Sequence, residues 1–148
     1  MDQKKFGEII QFAVEKETEA ADFYRRASQV AKFSGTKELF LDFAKQEEGH
    51  RKLLEDLDMG KIAEAKIQSI PDLKISDYLI DAELRPDSPY ADILRIAMKR
   101  EERSIKLYKD LNESSQEESL KKLFTFLVQE ETKHKYRLER IYDDEILK

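Results

Sequence analysis

Shifted by 84 residues, the sequence falls on itself: Ala13 meets Ala97, Glu17 meets Glu101, Tyr24 meets Tyr108, Phe40 meets Phe124, Glu47 meets Glu131 and His50 meets His134. Because 84 is twelve heptads, the shift preserves the register of a seven-residue helical stripe. Two copies of one helical hairpin, packed as a pseudo-symmetric bundle, is the simplest chain that satisfies this constraint.

Following apolar side chains at alternating steps of three and four residues, which keeps them on one helix face, yields four stripes. The first runs through Ile10, Ala13, Glu17, Ala20, Tyr24, Ala27 and Ala31, and Ser34-Gly35 offers it an exit. The second runs through Phe40, Phe43, Glu47, His50, Leu54 and Leu57, with Thr36 as its expected N-cap and an end near Gly60. The third is expected to open at Ser88-Pro89 and carries Leu94, Ala97, Glu101, Ser104, Tyr108 and Leu111, ending near Asn112. The fourth, with Leu120, Phe124, Leu127, Glu131, His134, Leu138 and Ile141, follows a capping-box pattern from Ser115 to Glu118. Both short connections imply antiparallel hairpins, about 4–58 and 89–144. The linker between them, 59–88, is too long for a bare loop; Ser76 is placed to cap a short helix from Asp77 to Leu84, and the remainder is expected to run along the bundle as a long crossover. Pro71, Pro86 and Pro89 fall in or beside it.

Composition agrees with one all-α domain: 40% charged and 40% hydrophobic residues, with only four glycines and three prolines. A net charge of −5 speaks against a nucleic-acid or anionic-membrane surface. There is no cysteine, which excludes disulfides, thiol nucleophiles, iron–sulfur clusters and cysteine-ligated metals, so a metal here is held by carboxylate and imidazole. No run reaches the length of a membrane span, and the segment MDQKKFGEII lacks a secretory pattern; a cytoplasmic location is the expectation.

Glu17, Glu47, Glu101 and Glu131, with the only two histidines, His50 and His134, occupy stripe positions that are otherwise apolar. Burying four uncompensated carboxylates costs several kcal/mol each. Two divalent cations would balance four negative charges, and neutral imidazoles complete the coordination without adding any; mixed oxygen and nitrogen donors suit iron or manganese. Glu47-x-x-His50 and Glu131-x-x-His134 each place two donors on one helix face, and one further Glu from each of two other helices completes the dimetal pattern of helical bundles.

Through the segments VEKETEAADFY, FAKQEEGH, MKREERSIKLY and LVQEETKH the chain resembles the ferritin-like diiron domain of the rubrerythrins over nearly its whole length. The resemblance implies a ferritin-like antiparallel four-helix bundle with a long crossover between the second and third helices, holding two irons. It further implies that Glu47 and Glu131 bridge the metals, with Glu17 and His50 completing one end and Glu101 and His134 the other. Two departures stand out. Peroxidases of the family carry an added Glu three residues beyond the position of Glu101, where this chain has Ser104. They also commonly append a rubredoxin domain with four cysteine ligands, and this chain has no cysteine.

Tyr24 and Tyr108 lie two turns beyond Glu17 and Glu101, positioned either to hydrogen-bond ligating carboxylates or to serve as large core residues. Phe40, Phe43, Phe124 and Leu127 read as core. Glu15, Glu19, Glu48, Glu102 and Glu130 lie off the stripes and read as a solvated face. Gly49 sits inside a helix, for packing, for access or by tolerance. The function expected is a dimetal redox protein, of peroxidase or oxidase type, reacting with hydrogen peroxide or O2. It depends on an external electron donor such as a rubredoxin and forms a homodimer. Iron oxidation and storage, or a non-catalytic metal-binding bundle, are the competing readings.

Overall fold

The computed structural model describes residues 3–57, 75–79, 85 and 87–147, and consists of four long helices and one short 3-10 turn. The helices are α1 (Gln3–Val30), α2 (Ser34–Glu55), α3 (Tyr90–Ser114) and α4 (Glu118–Glu145), with the 3-10 turn at Ile75–Tyr78. Among the described residues there is no strand, and no helix is long and apolar enough to cross a membrane. The all-α four-helix bundle expected from the stripes is what forms.

The 84-residue repeat extends to the turns. Residues 31–33 join α1 to α2, and residues 115–117, 84 positions later, join α3 to α4. Each hairpin therefore reverses in three residues, at positions displaced from those the stripes suggest, and the helix ends shift accordingly. Ser34 and Gly35 form the first turn of α2 rather than the exit from α1, and the N-cap position falls to Phe33, which makes no side-chain cap. Thr36 does not cap; its hydroxyl donates to Glu145 Oε2 at 2.8 Å. Glu145 also accepts from the Tyr90 hydroxyl at 3.1 Å, so one carboxylate joins the start of α2, the start of α3 and the end of α4. In the second hairpin Ser115 ends α3, its hydroxyl turned back to Leu111 O at 3.0 Å, which removes it from the expected capping box. Glu117 caps α4 instead, accepting from the Ser119 and Leu120 amides. Pro89, one residue earlier than a first helical position, is the N-cap of α3, while the Ser88 hydroxyl accepts from the Arg85 amide at 2.9 Å.

Helix α2 ends at Glu55 with Asp56 as C-cap; the expected end near Gly60 lies outside the described residues. The short helix expected over Asp77 to Leu84 is instead a 3-10 turn that includes Ser76 and stops before Leu79, and residues 80–84 lie outside the described residues. Its Tyr78 is buried against Phe12, with the hydroxyl on Asp110 Oδ2 at 2.8 Å, so the turn is fastened to the bundle by one aromatic anchor. The path of the crossover, including Pro71 and Pro86, likewise falls outside.

Packing is closest within each hairpin, and the hairpins meet through α1 against α3 and α2 against α4. Two apolar cores result, related by the repeat. One gathers Ile9, Ile10, Ala13 and Leu54 with Leu107, Tyr108, Leu111, Phe124 and Leu127. The other gathers their counterparts Ile93, Leu94, Ala97 and Leu138 with Phe23, Tyr24, Ala27, Phe40 and Phe43. Each core is thus built by both hairpins, and burial of each large side chain contributes roughly 1.5–3 kcal/mol. Between the two cores lies the layer of glutamates and histidines.

Gly49 is exposed on α2, and a Cβ built there meets nothing within 4 Å. Close packing therefore does not require a glycine, which in a helix interior costs about 0.8–1.0 kcal/mol relative to alanine. Gly49→Ala is expected to raise the unfolding free energy by about that amount, measured by urea denaturation of the metal-free protein.

Candidate metal centre

All four glutamates and both histidines are carried to the middle of the bundle, each between 0% and 3% exposed. Glu17 and Glu101 come from α1 and α3, and the two Glu-x-x-His pairs from α2 and α4. The three-residue spacing turns both members of each pair inward. His50 Nδ1 lies 3.0 Å from Glu131 Oε1, 3.3 Å from Glu47 Oε1 and 3.6 Å from Glu17 Oε2. His134 Nδ1 lies 3.2 Å from Glu47 Oε1, 3.6 Å from Glu101 Oε1 and 3.8 Å from Glu131 Oε1. Glu47 and Glu131 therefore face both imidazoles, whereas Glu17 faces only His50 and Glu101 only His134. Two overlapping donor sets follow, Glu17-Glu47-His50-Glu131 and Glu47-Glu101-Glu131-His134, each with its donor atoms within 4.8 Å of one another.

The hydrogen-bonding account of this layer does not close on protein atoms alone. Glu17 Oε2, Glu47 Oε1, Glu101 Oε2, both oxygens of Glu131 and the Nδ1 atoms of both histidines are buried without a hydrogen-bond partner. Orphaned buried polar atoms are rare and costly, and here seven of them converge on one small volume. Lone pairs aimed at a common point are what a cation requires, and oxygen with imidazole nitrogen is the donor set of iron or manganese. The residues present fit a dimetal centre.

Two tyrosines close the layer from above and below, across the helix pair rather than along it. The Tyr108 hydroxyl on α3 donates to Glu17 Oε1 on α1 at 2.5 Å, and the Tyr24 hydroxyl on α1 donates to Glu101 Oε1 on α3. These reciprocal bonds hold one oxygen of each terminal carboxylate; at Glu17 the other oxygen faces His50, whereas at Glu101 the held oxygen is itself the one nearest His134. Burial, with the charge of the neighbouring glutamates, keeps both phenols protonated well above their ordinary range.

The rubrerythrin family model matches residues 8–142. The chain belongs to the rubrerythrin family. A solved structure of a hypothetical protein from Pyrococcus furiosus superposes with a TM-score of 0.74 at 27% identity, covering 97% of this chain and 94% of that one. Among curated proteins none matches. In this rubrerythrin-family chain Ser104 stands one turn beyond Glu101 on α3, partly buried.

Of the acidic residues read as a solvated face, Glu15, Glu19 and Glu102 are exposed and Glu48 and Glu130 partly buried; Glu19 pairs with Lys16 at 2.9 Å, Glu102 with Lys135 at 3.6 Å and Glu130 with Lys133 at 3.2 Å, while Glu48 pairs with Arg25. Two contacts escape a reading of stripes. Gln46, off the stripe, places Oε1 2.7 Å from His134 Nε2. Phe43, read simply as core, stacks on the His134 ring with centroids 4.1 Å apart. Gln46 lies one residue before a motif glutamate, and only the burial of the far face of His134 reveals its use.

Without metal the layer is held by protons. Burial, reinforced by the other carboxylates, raises Glu47 and Glu131 well above the ordinary carboxylate range. Burial alone would lower His50, but the carboxylates of Glu131 and Glu17 outweigh it and raise the imidazole to about 10. All three groups bind protons more tightly folded than unfolded, so their contribution to stability is lost as pH rises. For the carboxylates the loss begins above about pH 4.5, and for His50 it spans about 6.5 to 10. The melting temperature of the metal-free protein is accordingly expected to fall between pH 6 and pH 9. The increase on adding metal is expected to be larger at pH 8 than at pH 5.5, where protons compete for the same atoms. Differential scanning calorimetry of metal-free and metal-loaded protein checks both signs.

Tyr24→Phe leaves Glu101 Oε1 buried without its donor, and Tyr108→Phe does the same to Glu17 Oε1. Each is expected to lower stability by about 1–3 kcal/mol in the metal-loaded protein, read by denaturant titration.

Proposed function

We propose that the chain is a dimetal redox protein, with iron as the principal metal and manganese as an alternative, that reduces hydrogen peroxide or O2 with electrons from a separate donor. The observation that carries this reading is the pair of overlapping donor sets that share Glu47 and Glu131. Carboxylates common to both sets would let two metals be held side by side and supply redox chemistry toward one small oxidant, which a mononuclear or purely structural site does not need. Glu17 with His50 would hold one metal and Glu101 with His134 the other, with Glu47 and Glu131 bridging. When bound, two redox-active metals supply the two electrons needed to cleave an O–O bond. For peroxide the balance is two electrons and two protons consumed and two waters released.

The chain's own contributions are positioning, exclusion of water and proton custody. Tyr24 and Tyr108 fix the terminal carboxylates by holding one oxygen each, and their hydroxyl protons stay on oxygen near the cluster. The apolar cores on either side, led by Phe40 and Phe43 above and Phe124 and Leu127 below, keep bulk water from the layer. Electrons have to be delivered from outside, because these 148 residues contain no cysteine to hold a rubredoxin-type iron. A rubredoxin is the donor we propose, and a two-fold homodimer the working assembly, since closed two-fold homo-oligomers are the commonest.

Metal analysis after reconstitution tests the site. The full chain is expected to hold about two ions, and the double variant Glu47→Ala with Glu131→Ala to lose both; two ions retained would refute the assignment. Peroxide consumption tests the reaction. Reduced, iron-loaded protein is expected to consume about one peroxide per centre and stop, then to continue once reduced rubredoxin is added. Many turnovers without donor would point to disproportionation, and no oxidation by peroxide or O2 would favour storage or plain metal binding.

A further inference from the structure

The repeat makes the two ends of the centre comparable position by position, and they differ outside the donor atoms. On the His134 side, the Gln46 side chain lies between His134 and Asp42. Its Nε2 donates to Asp42 Oδ2 at 2.8 Å, and its Oε1 lies 2.7 Å from His134 Nε2. A carboxylate only accepts, so Asp42 fixes which end of the amide faces the histidine. The amide oxygen then accepts from Nε2–H, and Nδ1 is the ring nitrogen turned toward Glu47, Glu101 and Glu131, where a metal would take it as donor. Phe43 stacked on the ring at 4.1 Å holds its plane.

Eighty-four residues on, Asp42 and Gln46 are replaced by Phe126 and Glu130, and Phe43 by Leu127. Glu130 is engaged with Lys133 at 3.2 Å. Phe126 meets the His50 ring edge-on at 6.0 Å rather than offering it an acceptor, and among the described residues no hydrogen bond holds His50 Nε2. One imidazole thus has an outer hydrogen-bond partner on Nε2 before any metal arrives, and among the described residues the other has none.

We propose that Gln46, held by Asp42, is a positioning residue for His134 and makes the Glu47-Glu101-Glu131-His134 position the tighter of the two, filled before the Glu17-Glu47-His50-Glu131 position. The inference rests on the dimetal reading of the site. Its physical basis is that an oriented imidazole of the correct tautomer loses less freedom on binding and is the more basic ligand. Such outer partners are commonly worth 10- to 100-fold in metal affinity.

The probe is cobalt(II), titrated into the metal-free full chain and followed by calorimetry and by its visible absorption. The unmodified chain is expected to bind in two steps of unequal affinity. Gln46→Leu, which keeps the size of this half-buried side chain but removes the acceptor, is expected to weaken the tighter step by 10- to 100-fold and to change its absorption band, leaving the weaker step in place. Gln46→Glu, which keeps an acceptor, is expected to restore the tight step. Asp42→Ala, at an exposed position, frees the amide to turn over and is expected to give a smaller loss of the same step. Two steps unchanged in Gln46→Leu, or a loss confined to the weaker step, would overturn the inference while leaving the dimetal reading intact. An unmodified chain that binds no cobalt would overturn that reading and this inference with it.

Discussion

Four carboxylates and two imidazoles share one buried layer, and the rest of the fold is arranged around the cost of placing them there. Removing a carboxylate from water costs several kcal/mol even after relaxation, while a domain of this size is stable by only about 5–15 kcal/mol in total. Four uncompensated charges in one layer would exceed that margin. The layer therefore requires neutralisation, for which protons and cations are the two available means. The raised pKa values of Glu47 and Glu131, which keep protons on these carboxyls, belong to the first, and the orphaned lone pairs converging between the helices point to the second.

Duplication gives this layer its geometry. Tyr24 reaches Glu101 while Tyr108 reaches Glu17, and His50 reaches Glu131 while His134 reaches Glu47, so α1 runs antiparallel to α3 and α2 to α4. A pseudo-two-fold axis through the centre produces every such contact twice. A favourable contact found once in a hairpin becomes two contacts in the bundle. The symmetry is broken where outer residues diverge, at Gln46 against Glu130 and at Asp42 against Phe126, and there the two ends acquire different surroundings.

The stripes made the bundle and the convergence of the six candidate ligands legible, because both follow from a single periodicity and from the anomaly of glutamate and histidine upon it. Helix ends were less legible. Ser34, Thr36 and Ser115 are all good capping residues by type, yet the helices start or stop elsewhere because each turn takes only three residues and the hydroxyls of Thr36 and Ser115 are committed to Glu145 and to Leu111. Tertiary partners outrank local propensity at such positions. The direction of the tyrosine bonds was hidden for a related reason: spacing places Tyr24 near Glu17 along α1, but only the packing of α1 against α3 reveals that the hydroxyl crosses to Glu101. Gln46 was invisible because its role is defined by a neighbour on another helix.

Each donor set draws on both hairpins: Glu131 joins the three donors of the first, and Glu47 joins the three of the second. The contacts between hairpins are fewer than those within them, so the centre occupies the seam of the molecule rather than the interior of a single rigid unit. A metal bound at either position would therefore cross-link the two hairpins. The two apolar cores, which also draw on both hairpins, hold the seam closed in the metal-free state. The apolar cores thus carry the contacts between hairpins that do not depend on what neutralises the polar layer.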